Sequence, residues 1–549
     1  MNRFRFARWF LLFGFVLLFS CATPPASPRE GADEDARRAE PRAEGGSLDT
    51  GESFLPPEAT KDLPEGVTPC DTHVSPAGVC PKDSFCSAGR CQPLPTPVWA
   101  LRSYQGGNLL GGGHSFEVDG QGYIYLLTSY IHSARFGSFQ TPLPSGSQES
   151  RYLVRVSPQG EWLGFQALQR YDPDPEDANA PYMDSIRLVR SKEGAVELVA
   201  EASLKLPSDL PVKGEGSLVR VRLSPQQGFV SAHYLPLGGD GGPANVSFSA
   251  KGHLYVTGSH VLPLLVGTPH ALLPPSRGAG RFVVKYDLQG QPLWARSLPN
   301  GIAYTAFQLD EQGGLWFHGS YRDHLKFGET WLTNSGGENS FWARMDENGT
   351  WLSAHTFPRG HRIHVTPSPH GLPVVLGSLK DFNDPLFSSF DPKKGVYFLG
   401  QLTKEGRWAW VHQTSMPTDF GSSQDVGGPL FAPNHTFVFG LEQKEWGDPL
   451  RWPGWFSFSP PSPSPSDSGA RLLVALDAQG QWRSWGAPFG CFHREFCSVR
   501  IHQLRAYDGF LYQMGTFDGD LAIGSLRLPK KDTDLSAGEN FFLVKWPLP

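Results

Sequence analysis

Ser340-Phe341-Trp342-Ala343-Arg344-Met345-Asp346-Glu347-Asn348-Gly349-Thr350-Trp351 runs from an apolar strand through a tight turn to an aromatic residue. Asp346 stands where its carboxylate can bond its own turn, and Gly349 where φ becomes positive. The same order returns at Gly160-Glu161-Trp162, Gly228-Phe229, Gly290 with Trp294, Gly406-Arg407-Trp408 and Gly480-Gln481-Trp482. A second motif, a glycine opening a short apolar strand, returns as Gly122-Tyr123-Ile124-Tyr125, Gly252-His253-Leu254-Tyr255, Gly314-Leu315-Trp316 and Gly509-Phe510-Leu511-Tyr512. Weaker copies start at Gly194, Gly371 and Asn434. The flanking runs alternate or are wholly apolar, as strands are, and no helical period follows residue 20.

Each repeat therefore holds four strands, A to D, which in the fourth repeat fall at about 302–309, 314–320, 340–346 and 350–357. The last repeat supplies 503–508, 510–516 and 541–546 but lacks strand D. Pro97-Val98-Trp99-Ala100-Leu101-Arg102 offers it, so 98–104 and 541–546 are expected to be neighbours. A linear stack would leave edges to cap, whereas a repeat split between the two ends closes a ring. The expected fold is all-β: a seven-bladed β-propeller of four-stranded blades over 97–549, closed by an N-terminal strand and preceded by a small disulfide-rich segment.

The best copy, residues 251–296, reads Gly-x-Leu-Tyr-Val-x-Gly and then Phe-Val-x-Lys-x-Asp-x2-Gly-x2-Leu-Trp-Ala-Arg. This resembles the bacterial seven-bladed β-propeller repeats of secreted and lipid-anchored proteins. The resemblance covers about 97–549 and implies the fold, but no single reaction or ligand.

The N-terminus reads as an address. Arg3, Arg5 and Arg8 precede an apolar run from Trp9 to Phe19, too short for a membrane-spanning helix of about 20 residues but suited to a signal peptide. Leu18-Phe19-Ser20-Cys21 resembles the bacterial lipobox, with Phe19 bulkier than usual at its place. Residues 1–20 are then a lipoprotein signal peptide and Cys21 the lipidated residue. Ala22 behind it favours the outer membrane by resemblance to bacterial sorting rules. Residues 21–69 continue as a Pro-, Ala-, Glu- and Arg-rich segment that cannot bury enough apolar surface to order itself. As a flexible tether it would span about 40 Å.

Cysteine usage agrees with an exported chain. Beyond Cys21 an even number remain: Cys70, Cys80, Cys86 and Cys91 in a mini-module at 70–92, and Cys491 with Cys497. Two tight clusters read as disulfides whose pairing within 70–91 stays open. Zinc is the alternative for the first cluster, although it lacks the usual C-x2-C pair. The module is either a binding element or a brace at the entry to the main domain.

The net charge of −6 comes without a basic run, which excludes an electrostatic footprint for nucleic acid. No nucleophile elbow, zincin spacing or Walker loop is present, and no cofactor or metal is implied. The A–B and C–D turns are short, while the B–C and D–A connections vary, so any binding is expected on the face they build. Candidate residues there are Asp172, Asp174 and Asp177, the aromatics Trp452, Trp455, Phe456 and Phe458, and His493 and Arg494 between Cys491 and Cys497. Each has a plainer reading: a solvated acidic loop rather than a Ca2+ site, aromatics packed on their own blade, a disulfide that pins a connector.

The expected function is a membrane-anchored, non-enzymatic binding or scaffold lipoprotein, with a protein or glycan as ligand. Alternatives are an outer-membrane assembly scaffold, on a faint likeness to lipid-anchored PQQ-like propellers, and a carbohydrate-active enzyme with its site on the loop face. A quinoprotein dehydrogenase is disfavoured, because those typically carry a vicinal Cys-Cys and this chain has none.

Overall fold

The computed structural model describes most of residues 96–548 and the short strands Ser84–Ser87 and Arg90–Pro93. Other residues before 96, and segments 106–114, 143–149, 169–185, 379–396, 415–429, 432–436, 443–449, 453–455, 459–470, 478–481, 493–497 and 529–539, lie outside the described residues, as do a few shorter stretches. The leader, Cys21, the tether, Cys70, Cys80, Cys497, Asp172, Asp174, Asp177, Trp455, His493 and Arg494 are among them.

Strands, turns and bends make up the described residues, as the period-2 patterning implies. Six blades of a β-propeller are each built from one contiguous stretch: 115–168, 187–235, 242–297, 302–357, 363–414 and 430–492. In the fourth, Ile302–Leu309, Leu315–Tyr321, Asn339–Met345 and Trp351–Phe357 pair antiparallel in sequence order. A further four-stranded sheet unites the two ends of the propeller. Its order is Trp99–Arg102, Asn540–Pro547, Phe510–Asp518, Ser498–Tyr507. Trp99 stands opposite Lys545 and Arg102 opposite Phe542, the pairing expected from the split repeat.

The innermost strands lie side by side. Ser115–Val118 is flanked by Arg187–Arg190 on one side and by Ser498–Tyr507 on the other, and the row continues through blades three, four and five. Apolar clusters fill the spaces between sheets. One joins Phe116, Leu126 and Val154 of blade one to Tyr512, Met514 and Leu543 of the closing sheet. Burying each such side chain stabilises by about 1.5–3 kcal/mol.

The repeated motif residues form a repeated contact. On strands B and C an aromatic faces a cation in register: Tyr125 with Arg155, Tyr255 with Lys285, Trp316 with Arg344, Tyr512 with Lys545. Lys285 Nζ lies 5.5 Å from the Tyr255 ring and Lys545 Nζ 5.5 Å from the Tyr512 ring. Three of these cations reach into the next blade, while Arg344 pairs with Asp310 of its own blade at 3.1 Å. Lys285 Nζ and Trp294 Nε1 both donate to the Glu347 carbonyl, at 2.9 and 3.0 Å. Lys545 and Trp99 do the same at the Pro158 carbonyl, at 3.4 and 3.0 Å, and Arg155 reaches the Pro225 carbonyl at 2.8 Å. Each acceptor is the second residue of a C–D turn, so at these three junctions one sheet grips the turn of its successor. Burial lowers the pKa of Lys285 and Lys545 from the usual lysine value, against the pull of nearby carboxylates.

Turn chemistry follows the sequence reading. Asp346 Oδ1 accepts from the backbone of Asn348 and Thr350 at 2.9 and 2.8 Å. Gly349 has φ +82°, and a Cβ there would come within 3.2 Å of the Trp294 ring of the preceding blade. In the fourth blade the positive-φ turn residue is Gly313, not Gly314, which instead presses against the Asp310 carboxylate.

Candidate functional site

After strand B several blades send out a small hairpin with an apolar-x-apolar-Gly signature. These are Ala134–Phe136 with Phe139–Gln140, Leu264–Val266 with Ala271–Leu273, Leu325–Phe327 with Thr330–Leu332, and Asp520–Ile523 with Leu526–Leu528. The first and third fold back over their own strand D. Phe136 lies 5.1 Å from Trp162, and Phe327 lies 4.7 Å from Trp351. These B–C connections thus cover outer strands that would otherwise present an unpaired edge.

In three cases the hairpin also closes the seam to the preceding blade by taking up a third strand. Tyr104–Gln105 pairs with Arg135 and Ala134, and Leu237–Gly238 with Val266 and Leu265. The end of Trp482–Phe492 pairs with Asp520–Ile523. The added strand is always the chain just beyond strand D of the preceding blade.

The seam between blades three and four is built otherwise. Leu325–Phe327 and Thr330–Leu332 form a two-stranded sheet only. Past strand D of blade three the chain reads Leu298-Pro299-Asn300. Pro299 follows Leu298 as Pro236 follows Leu235 at the closed seam into blade three, so a proline at this place does not by itself keep a third strand away. Leu298 N donates to the Arg281 carbonyl at 2.8 Å, as Ser103 N does to the Phe541 carbonyl at 3.1 Å before the closed seam into blade one.

A cleft of about 230 Å³ lies at this seam, lined among others by His260, Arg281, Ser297, Asn300, Lys326 and Trp351. Among the described residues no carboxylate lines it, although the chain carries a net charge of −6. His260 forms a buried wall and sits 6.0 Å from the Phe282 ring. The alternation of Leu325, Lys326 and Phe327 buries the outer two and turns Lys326 out. Its ammonium stands 5.7 Å from the Trp331 ring and 3.7 Å from the fully exposed Glu329 carboxylate. A charge pair so exposed is heavily screened and leaves Lys326 able to take a second partner.

Of the residues singled out from sequence, those that are described fall elsewhere. Trp452, Phe456 and Phe458 lie on the sixth blade's hairpin, Leu450–Trp452 with Phe456–Phe458. Its outer strand pairs with Ser84–Ser87, Cys86 standing opposite Ser457 and Ser87 opposite Phe456. Cys86 and Cys91 are backbone partners in the Cys-rich hairpin. Cys491 stands opposite Leu521, in the stretch that closes the seam to the last sheet. His355, His318 and His364 pack against other rings, while His324 and His370 are exposed. His355 stacks on Trp342 at 4.3 Å, and His318 lies 5.6 Å from His364. Complete burial, with His364 beside it, pushes His318 down to about 3. Among the described residues no group of three or more His, Cys, Asp or Glu side chains is placed to hold a metal ion.

Sequence reasoning passed over the cleft because its walls come from segments far apart in the chain. The available signal was the recurring hairpin pattern Arg135-Phe136-Gly137, Lys326-Phe327-Gly328 and Ala522-Ile523-Gly524.

No protein-family model and no curated protein matches the chain. Among solved structures it is similar to the Dos1 propeller, at 10% identity and TM-score 0.39 over 83% of this chain and 96% of that one. It is also similar to the β-propeller domain of the Trilobed protease from Pyrococcus furiosus, at 6% identity and TM-score 0.37 over 77% and 100%. Puromycin hydrolase gives 12% identity and TM-score 0.36 over 75% of this chain, which spans 59% of the hydrolase. Likeness of this size carries no argument about activity.

Proposed function

We propose that this chain is a lipoprotein of the cell envelope, anchored through Cys21 and held off the outer membrane by residues 22–69, whose seven-bladed propeller binds a partner without transforming it. The sheet that unites the chain ends is the seventh blade. Disulfides within 70–91 and between Cys491 and Cys497 secure the shorter connections. The observation that carries the binding reading is the open seam: a concave, cationic cleft between blades three and four, where the seams into blade one, blade three and the closing sheet are closed by strand pairing. Polar groups gathered in a concavity on a rigid scaffold are the usual form of a binding site. The anchor is supported by the order of basic, apolar and small residues before Cys21.

Expression in a bacterium with two membranes tests both halves. The wild-type chain is expected in the outer-membrane fraction with a lipid mass increment, and Cys21→Ser in the soluble fraction. A wild-type chain without lipid overturns the anchor. Peptides and glycans incubated with the purified chain are expected back intact by mass spectrometry, and steady conversion of any of them overturns the non-enzymatic reading.

A further inference from the structure

The B–C hairpins are internal controls for one another. In each, the middle residue of the first strand stands opposite one residue of the second: Arg135 opposite Gln140, Leu265 opposite Leu272, Lys326 opposite Trp331, Arg451 opposite Ser457 and Ala522 opposite Arg527. In the fourth blade Leu325, Phe327 and Leu332 belong to the apolar cluster, and strand alternation turns Lys326 and Trp331 to the other face. The fold sets no demand for a ring at this place, since an amide, an aliphatic, a hydroxyl and a guanidinium side chain stand there in the other hairpins.

Trp331 is 61% exposed, more than any other large apolar side chain among the described residues. A ring left in water forfeits the burial that aromatic side chains usually gain. Its sequence neighbours Glu329, Thr330 and Thr333 are exposed and polar. The Lys326 ammonium stands 5.7 Å from the indole and 3.7 Å from the Glu329 carboxylate. A flat apolar surface is thus set beside one donor and one acceptor whose charges cancel. A protein-binding hot spot is instead a ring sunk in a well-packed, desolvated pocket. Lys326 also lines the cleft, so it joins the indole to the place where Ser297 and Asn300 add a hydroxyl and an amide.

A pyranose matches this surface. It has a face of C–H bonds that can lie on an indole and a rim of hydroxyls, each both donor and acceptor. An ammonium has three donors and a carboxylate about four acceptor sites, so hydroxyls add to the Lys326–Glu329 pair without breaking it. A charged ligand would meet repulsion from one member of the pair, which favours a neutral one. Resting on the binding reading above, we propose that Trp331 is a stacking platform for a neutral oligosaccharide. One sugar unit lies on the indole with its hydroxyls bonded to Lys326 and Glu329, and the next enters the cleft beside Ser297 and Asn300.

The test uses the full chain in a detergent without a sugar head group. Hexasaccharides of N-acetylglucosamine, of β-linked glucose, of α-linked glucose and of mannose are titrated one at a time by calorimetry. Binding of at least one is expected, and added salt should leave it unchanged because the ligand carries no charge to screen. Trp331→Gln copies what the first hairpin carries at Gln140, so the thermal melt should stay in place while affinity falls about tenfold or more. Trp331→Phe should keep part of the affinity, and Glu329→Ala should weaken binding several-fold. Equal affinity of Trp331→Phe and Trp331→Gln overturns stacking, whatever either does to the melt. Binding that survives Trp331→Gln but is lost in Asn300→Ala overturns the platform and leaves the cleft as a binding site. Failure of all four sugars overturns the glycan. Cleavage of a bound sugar overturns the non-enzymatic reading and leaves the platform standing.

Discussion

His318 is fully enclosed between blades four and five, and its imidazole is held neutral far below the usual histidine range. The unfolded chain takes a proton near pH 6.5, whereas the folded one resists until about pH 3. Between those values the unfolded state binds the extra proton, so stability falls as pH drops and is unaffected above pH 7. The slope is on the order of 1 kcal/mol per pH unit at its steepest. Chemical unfolding at pH 7 and pH 5 should show a drop for the wild type. The drop should be smaller for His318→Leu, whatever that variant does to stability at pH 7. An equal drop in both would mean that His318 is not the acid-sensitive group.

The elements carry a different logic, in which strand D of one blade is locked to the C–D turn of the next. Trp294→Phe keeps most of the ring but loses the indole donor to the Glu347 carbonyl. It should cost about 1 kcal/mol, because Lys285 still reaches that carbonyl. Gly349→Ala places a Cβ at positive φ against the same indole and should cost on the order of 1–3 kcal/mol. Equilibrium denaturation of the two single variants and the double variant should give a non-additive sum, since both act on one contact. Much at this scale was readable beforehand. The Asp and Gly of the turns announce their roles through local backbone chemistry, and strand boundaries follow from period-2 patterning. The reading slipped by one residue at Gly313 and Gly314, where adjacent glycines satisfy the same pattern. The hairpins were hidden, because a B–C connection of varying length looks like a free loop until its Phe is seen to lie on a Trp of strand D. The cleft was hidden more deeply: Leu298-Pro299-Asn300 looks like Leu235-Pro236-Leu237, and the missing strand is recognised only from the three seams that have one.

At the scale of the whole molecule, ring closure rests on one strand. Trp99–Arg102 is covered on one side by Asn540–Pro547, with Trp99 and Leu101 packed into the cluster shared by blade one and the closing sheet. Deleting 97–105 uncovers that cluster and leaves Asn540–Pro547 as an open edge. Calorimetry should show the propeller transition lowered by many degrees or lost, while deleting 22–69 leaves it in place. Unchanged melting after the first deletion would refute closure by this strand. The paired inner-strand contacts Phe116 N to Gln503 Oε1 at 2.7 Å and Glu117 to Arg505 at 2.9 Å join the same two sheets, so they should become labile together with it.

The closing strand also decides how the molecule meets tension. Any pull through the chain before residue 97 enters at Val98, whose N–H donates to the Lys545 carbonyl at 2.8 Å. Because the two strands are antiparallel, such a pull would peel the ladder open from its Trp99–Lys545 end, one pair at a time. That first pair is the one whose side chains are both fastened to the Pro158 carbonyl of blade one. The grip that joins two blades at rest therefore doubles as a rivet at the point where a pulled chain would begin to unzip.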